Sequence, residues 1–200
     1  MKYRKKPVVI EAVEWTGYNR DEVLALVAAR DAPSREGGMK ALSLWQPWAS
    51  AIALGAKRIE TRDWATAYRG PLAIHAAKRC VKGELAEMGA DPTWRGALDR
   101  PGNDGPLTDL PFGAIVAVCR LVDCLRTDDI DREMLLEDRH PAWGGAGGEL
   151  YDWSEWDMGN FGPHRFGWVL EDMRAVGPIP WRGAQGLFEI PDGVIEGRAG

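Results

Sequence analysis

Lys57 and Glu60 are the residue pair of this sequence best suited to chemistry. An ammonium offers three N–H donors to a phosphate, a carbonyl or a base edge. A neighbouring carboxylate can hold that lysine, accept from a base amino group or act as a general base. On a regular strand the two positions face opposite sides. Convergence therefore requires Lys57 in a turn, with the strand beginning later. The other reading is a lysine stabilised by a helix C-terminus and a solvated glutamate, and spacing leaves both open. Arg62, Arg69, Lys78 and Arg79 each follow a predicted strand or turn, where they can line one rim and meet phosphates or serve as ordinary surface charges. Lys78 and Arg79 are the best placed of these.

Ten tryptophans are many for 200 residues. Aromatic faces stack on unpaired bases for about 1–3 kcal/mol each. Trp45 and Trp64, flanking the Lys57 stretch, are candidate ligand walls; Trp48 and Trp168 are expected in the core. Nucleophile patterns are thin: Ser43, Ser50, Thr61 and Thr66 lie near by, but there is no GxSxG and His75 has no evident partner. P-loop and GxGxxG patterns are also absent. The three cysteines, Cys80, Cys119 and Cys124, lack CxxC spacing and read as buried or half-buried thiols. The three histidines are scattered singly, so neither a metal nor a cofactor is expected.

The elements that must position these groups follow from local rules. Ala41 to Trp45 alternates as a half-buried strand would. Pro47 suits the first turn of a helix, Trp48, Ala51 and Ile52 form its apolar face, and Gly55 fits the C′ position. Arg69 and Gly70 read as a turn into a β-like run at 71–77, 80–89 as a short helix and the Gly- and Pro-rich 90–112 as a long loop. Residues 113–125 (GAIVAVCRLVDCL) read as a central strand, 128–137 as a helix, 164–174 as a strand, and a final strand ends near Ile190. Residues 1–38 form a separate strand-helix extension with a linker at 31–38, and 192–200 a flexible tail.

A net charge of −5 argues against a general polyanion binder. Its distribution is uneven: 39–126 carry 12 basic and 9 acidic residues, whereas 127–200 carry 6 and 15. The basic stretch predicts a local anion site, and the acidic insert at 127–160 a lid over it or a protein contact through 127–157. No apolar run approaches the ~20 residues of a membrane helix, and the N-terminus does not read as a signal peptide. A cytoplasmic protein is expected.

Gly55, Lys57 and Glu60 spell GxKxxE. With LSLWQPWASAIALG before it, TRDW after it, RGPLAIHAAK at 69–78 and FGWVLEDMRAVGPIPWRGAQGLFEI at 166–190, the chain resembles the ASCH family over about residues 39–190. That family, named for homology to a transcription coactivator, has a PUA-like β-barrel. The resemblance implies an α+β fold with about five to seven barrel strands and two or three short helices, with the motif lining a pocket. The opening MKYRKKPVVIEAVEWTG resembles the start of small phage and prophage proteins, and Met39 resembles the usual beginning of an ASCH protein.

Two functions follow from the resemblance. One is an RNA or single-stranded nucleic-acid binding module in transcription or translation control, using Lys57, Glu60, Arg62, Trp45, Trp64, Arg69, Lys78 and Arg79. The other is a hydrolase with Lys57 and Glu60 as catalytic residues, either a ribonuclease or an amidohydrolase acting on a modified nucleoside of the N4-acetylcytidine type. Those amidohydrolases use GxKxxT, and here Glu60 stands in place of the threonine. They also use a second glutamate, for which Asp123 and Glu171 are the candidates.

Overall fold

The computed structural model describes residues 38–79, 82–98, 107–137, 139–142, 151–191 and 193–196. The chain divides into two units, Met1–Arg35 and Glu36–Gly200, and all described residues lie in the second. The expected N-terminal extension, Cys80, Trp143, the GGAGG stretch and the end of the tail lie outside them.

Six strands form one sheet in the order β2-β7-β4-β3-β1-β8. They are β1 (Met39–Leu44), β2 (Ile59–Arg62), β3 (Gly70–Ala76), β4 (Ala114–Arg126), β7 (Phe166–Pro180) and β8 (Leu187–Ile190). A two-stranded ribbon, β5 (Arg139–Ala142) with β6 (Tyr151–Ser154), stands apart. Short helices fill the connections: α1 (Trp48–Ala53), α2 (Lys82–Ala90), α3 (Pro92–Ala97), α4 (Arg132–Glu137) and α5 (Gly193–Glu196). The fold is mixed α+β, as read from the sequence.

The core follows the period of two along each strand. On β1, Leu42 and Leu44 turn to one face with Leu72, Ile74, Trp168 and Ile52 of α1. Ala41 turns to the other face with Ala73, Ile115 and Ile179. The two longest strands, β4 and β7, pair antiparallel along the middle, with register shifts near Val116, Cys119 and Val122 that bend them. Trp168, on β7, is fully buried against the edge of Trp64.

The sequence predicts a closed or nearly closed barrel, but the hydrogen-bonded sheet is open, with β2 and β8 as its edges. The reason lies in β1. Its first four residues pair with β8 on the side away from β3, leaving only its last carbonyls beyond that ladder. Arg62, at the end of the four-residue β2, donates from Nη2 to Ser43 O at 3.0 Å. A side chain, not a ladder, therefore spans the gap between β2 and β1.

The long loop expected over 90–112 also needs correction. Residues Pro92–Ala97 are helical, with Asp91 at the N-cap accepting from Thr93 N and Pro92 at the start. Trp94, Ala97 and Leu98 bury its inner side with Leu85 and Met158.

His75, read as partnerless, has two partners: Ser43 Oγ lies 3.1 Å from Nδ1 and Trp181 O 3.1 Å from Nε2. A carbonyl can only accept, so the neutral ring carries its proton on Nε2 and takes the Ser43 hydroxyl proton at Nδ1. Burial holds the His75 pKa below its ordinary 6.5, against the raising effect of the Trp181 carbonyl. A depressed histidine pKa means the unfolded chain binds the extra proton first, so stability falls as pH drops below about 6.5. Thermal melts at pH 7.5 and 5.5 are expected to show that loss, and His75→Gln to reduce it. Gly183 lies against this pair: an added Cβ would fall 2.4 Å from His75 Cε1 and 2.6 Å from Ser43 Oγ. Gly183→Ala is expected to cost about 1–3 kcal/mol, read as a lowered melting temperature.

Candidate functional site

The site begins where α1 stops. Gly55 takes φ +75, the conformation expected of it, and the N–H groups of Ala56 and Lys57 both donate to Ala51 O at 2.9 and 3.1 Å. This turn places Lys57 before β2, as convergence with Glu60 requires. Lys57 has no exposed surface. Its ammonium donates to Ile59 O and, at 3.0 Å, to Met158 O. Glu60 Oε2 stands 3.7 Å away and Glu155 Oε1 3.9 Å.

Glu155 is the residue that sequence reasoning missed. Its carboxylate accepts from Arg58 N and Ile59 N, each at 2.8 Å, so it fixes the turn as well as neutralising the lysine. It opens a 3₁₀ turn, Glu155–Met158, behind Ser154. The available signal was Ser154-x-x-Asp157, a capping box, in which Asp157 Oδ2 accepts from Ser154 N at 2.9 Å. The candidates for a second carboxylate serve elsewhere. Asp123 pairs with Arg69 at 2.9 Å, and Glu171 is exposed on β7.

Glu60 Oε1 faces Arg62 Nε at 3.2 Å, so the ionic chain runs Glu155, Lys57, Glu60, Arg62 and on to the Ser43 carbonyl. Above it opens a cavity of about 290 Å³ lined by Trp48, Glu60, Thr61, Asp157, Met158, Gly159 and Asn160. Lys57 does not line it; the ammonium is sealed beneath the floor. Thr61, next to Glu60 on β2, borders the same cavity, and its Oγ1 accepts from Asn160 N at 3.0 Å.

The remaining sequence candidates fall into two groups. Trp45 is 50% exposed, with the Arg79 guanidinium 6.0 Å from its ring centroid. Lys78 and Arg79 are exposed just beyond β3. The backbone joins these segments, Ala77 N donating to Leu44 O and Gly113 N to Ala76 O. Arg182, absent from the sequence candidates, is exposed after Trp181, whose N–H donates to Gly113 O. Arg69 and Trp64 stand apart. Arg69 donates to Asp123, Thr66 O and Tyr68 O, and Trp64 packs on Trp168 at 4.6 Å. Both are committed to the fold.

Among the described residues, no group of three His, Cys, Asp or Glu is arranged to hold a metal ion, and no helix is long and apolar enough to cross a membrane. Burial pushes the Cys119 thiol up to about 12, which leaves it inert.

The described residues form a mixed α+β fold, one six-stranded sheet with short helices. The ASCH domain model matches residues 42–159, and the chain belongs to the ASCH family. Activating signal cointegrator 1 of Homo sapiens and of Mus musculus are each 39% identical over 99 residues, 48% of this chain and 16% of theirs. The chain thus spans a small part of the length of these relatives. Crystal structures of ASCH from Zymomonas mobilis and of a point mutant of it align over 79% and 80% of this chain and 91% and 94% of theirs. Their identities are 15% and 16% and both TM-scores 0.42, a likeness too distant to transfer any residue.

Removing one partner of a buried ion pair strands the other charge, at about 3–5 kcal/mol. Lys57→Met is expected to destabilise the protein by about that much in urea unfolding, since it leaves Glu60 and Glu155 facing each other. Adding Glu155→Gln should recover part of the deficit.

Proposed function

We propose that this protein binds single-stranded nucleic acid, RNA foremost, seating one unpaired base in the Glu60 cavity while the backbone crosses Trp45, Lys78 and Arg79. The observation that supports this most is the join between the two features. Trp45, in the basic end, and Trp48, in the cavity wall, are three residues apart across the Pro47 turn, with Ala49 N donating to Trp45 O. An aromatic shelf with a guanidinium over it and two further cations is what a stacked base and its phosphates meet. With a net charge of −5, such contact is local. The relatives' name, activating signal cointegrator 1, favours a regulatory setting in transcription or translation. The exposed Asp129, Asp131 and Glu133 are where a protein partner would meet the 127–157 segment. A 1–38 extension, an ASCH unit at 39–191 and a cytoplasmic location accompany this reading.

A hydrolase on an N4-acylated cytidine, or a ribonuclease, is the second reading. The Thr61 hydroxyl bordering the cavity beside Glu60 favours it. The burial of Lys57 disfavours it, since that ammonium already faces two carbonyls and two carboxylates.

Fluorescence anisotropy with single-stranded RNA, duplex RNA and DNA tests the proposal. Single-stranded RNA is expected to bind best and to weaken as salt rises from about 50 to 200 mM. A Lys78→Ala/Arg79→Ala double variant should lower the log–log salt slope by about 0.7 for each phosphate it no longer neutralises. Salt-independent turnover of N4-acetylcytidine, without RNA binding, would replace the proposal with the hydrolase.

A further inference from the structure

We infer that the Glu60 cavity selects guanine among unpaired bases, an inference that rests on the single-strand reading above. The cavity, at about 290 Å³, has room for a planar heterocycle. The carboxylates Glu60 and Asp157 line it, while the nearest ammonium, Lys57, is sealed below. A phosphate is therefore repelled from this space, and a ligand edge rich in N–H donors is drawn to it.

Glu60 is held still by two cations, Arg62 at Oε1 and Lys57 at Oε2. Each carboxylate oxygen can accept more than one donor, so both keep capacity toward the cavity. A fixed carboxylate is best matched by two adjacent N–H groups. Of the four bases only guanine offers them, N1–H beside its N2 amino group. Cytosine and adenine present one amino group next to a bare ring nitrogen, whose lone pair would face the carboxylate. Uracil presents a single N–H between two carbonyls.

The rest of the lining completes the match. Asn160 Oδ1 accepts from Gly162 N at 3.1 Å, which turns its NH₂ free to donate, the group guanine O6 requires. Thr61 Oγ1 accepts from Asn160 N and keeps its own proton to give. Trp48 is held edge-on to Trp94, with ring centroids 5.5 Å apart, and supplies a fixed apolar wall.

The test uses short labelled oligouridylates that differ at one central position, so that every probe carries the same phosphates. Wild-type protein is expected to bind the central-guanosine probe about tenfold or more tighter than the uridine, cytidine or adenosine probes. Central inosine, which lacks the N2 amino group, should lose most of that advantage. Glu60→Gln should bring the guanosine-to-uridine ratio to about one. Asn160→Ala, at an exposed position, tests the O6 contact in a variant that leaves the ionic chain intact, and should lower the same ratio. Equal affinities for all probes, preference for another base, or a ratio unchanged in both variants would overturn the guanine inference and leave single-strand binding standing. Failure of every probe to bind would overturn both.

Discussion

A charged ammonium with no exposure to water is the constraint around which this structure is built. Moving such a group out of solvent is costly unless charge and hydrogen bonds around it are complete. Lys57 meets that condition with two carbonyls and two carboxylates, gathered from β2 and from the 3₁₀ turn Glu155–Met158. Each donor and acceptor also fixes something else. Glu155 caps the backbone of the turn, Glu60 floors the cavity and orients Arg62, and Arg62 ties β2 to β1. The lysine thus organises the site without entering it.

The sheet shows how far side chains can take over the work of a ladder. β2 has only four residues, and its outer edge meets the 158–160 segment, where Thr61 takes the Asn160 N–H. Edge strands that keep open N–H and C=O groups invite pairing with other chains. Here the Arg62 guanidinium on the Ser43 carbonyl and the covering segment occupy much of that edge, so the sheet is protected without closing.

Local rules make much of this chain legible from its sequence. A proline at the start of a helix and a glycine after it are enough to place Lys57 in a turn, because both act through their own backbone. The central strand is readable from its β-branched residues, and the two-sided core from its alternation. What is not readable is set by distance along the chain. Glu155 reaches backbone groups 96 and 97 residues before it, and Arg69 meets a carboxylate 54 residues on; neither spacing has a local signature. The helix at Pro92–Ala97 has one, the Asp-Pro-Thr start, but glycine and proline around it point to loop. The open barrel is hidden for a different reason: a guanidinium bridge leaves no trace in strand periodicity.

The cavity's floor and its far wall are separated by about a hundred residues, Lys57 and Met158 being 101 apart. Synthesis proceeds from the N-terminus, so β1, α1 and β2 leave the ribosome well before residues 155–160 exist. Until those residues arrive, Lys57 lacks the Met158 carbonyl and the Glu155 carboxylate that it meets in the complete fold. The cavity is therefore completed late in translation: a chain ending before residue 155 would carry Trp48, Glu60 and Thr61 but none of the far wall.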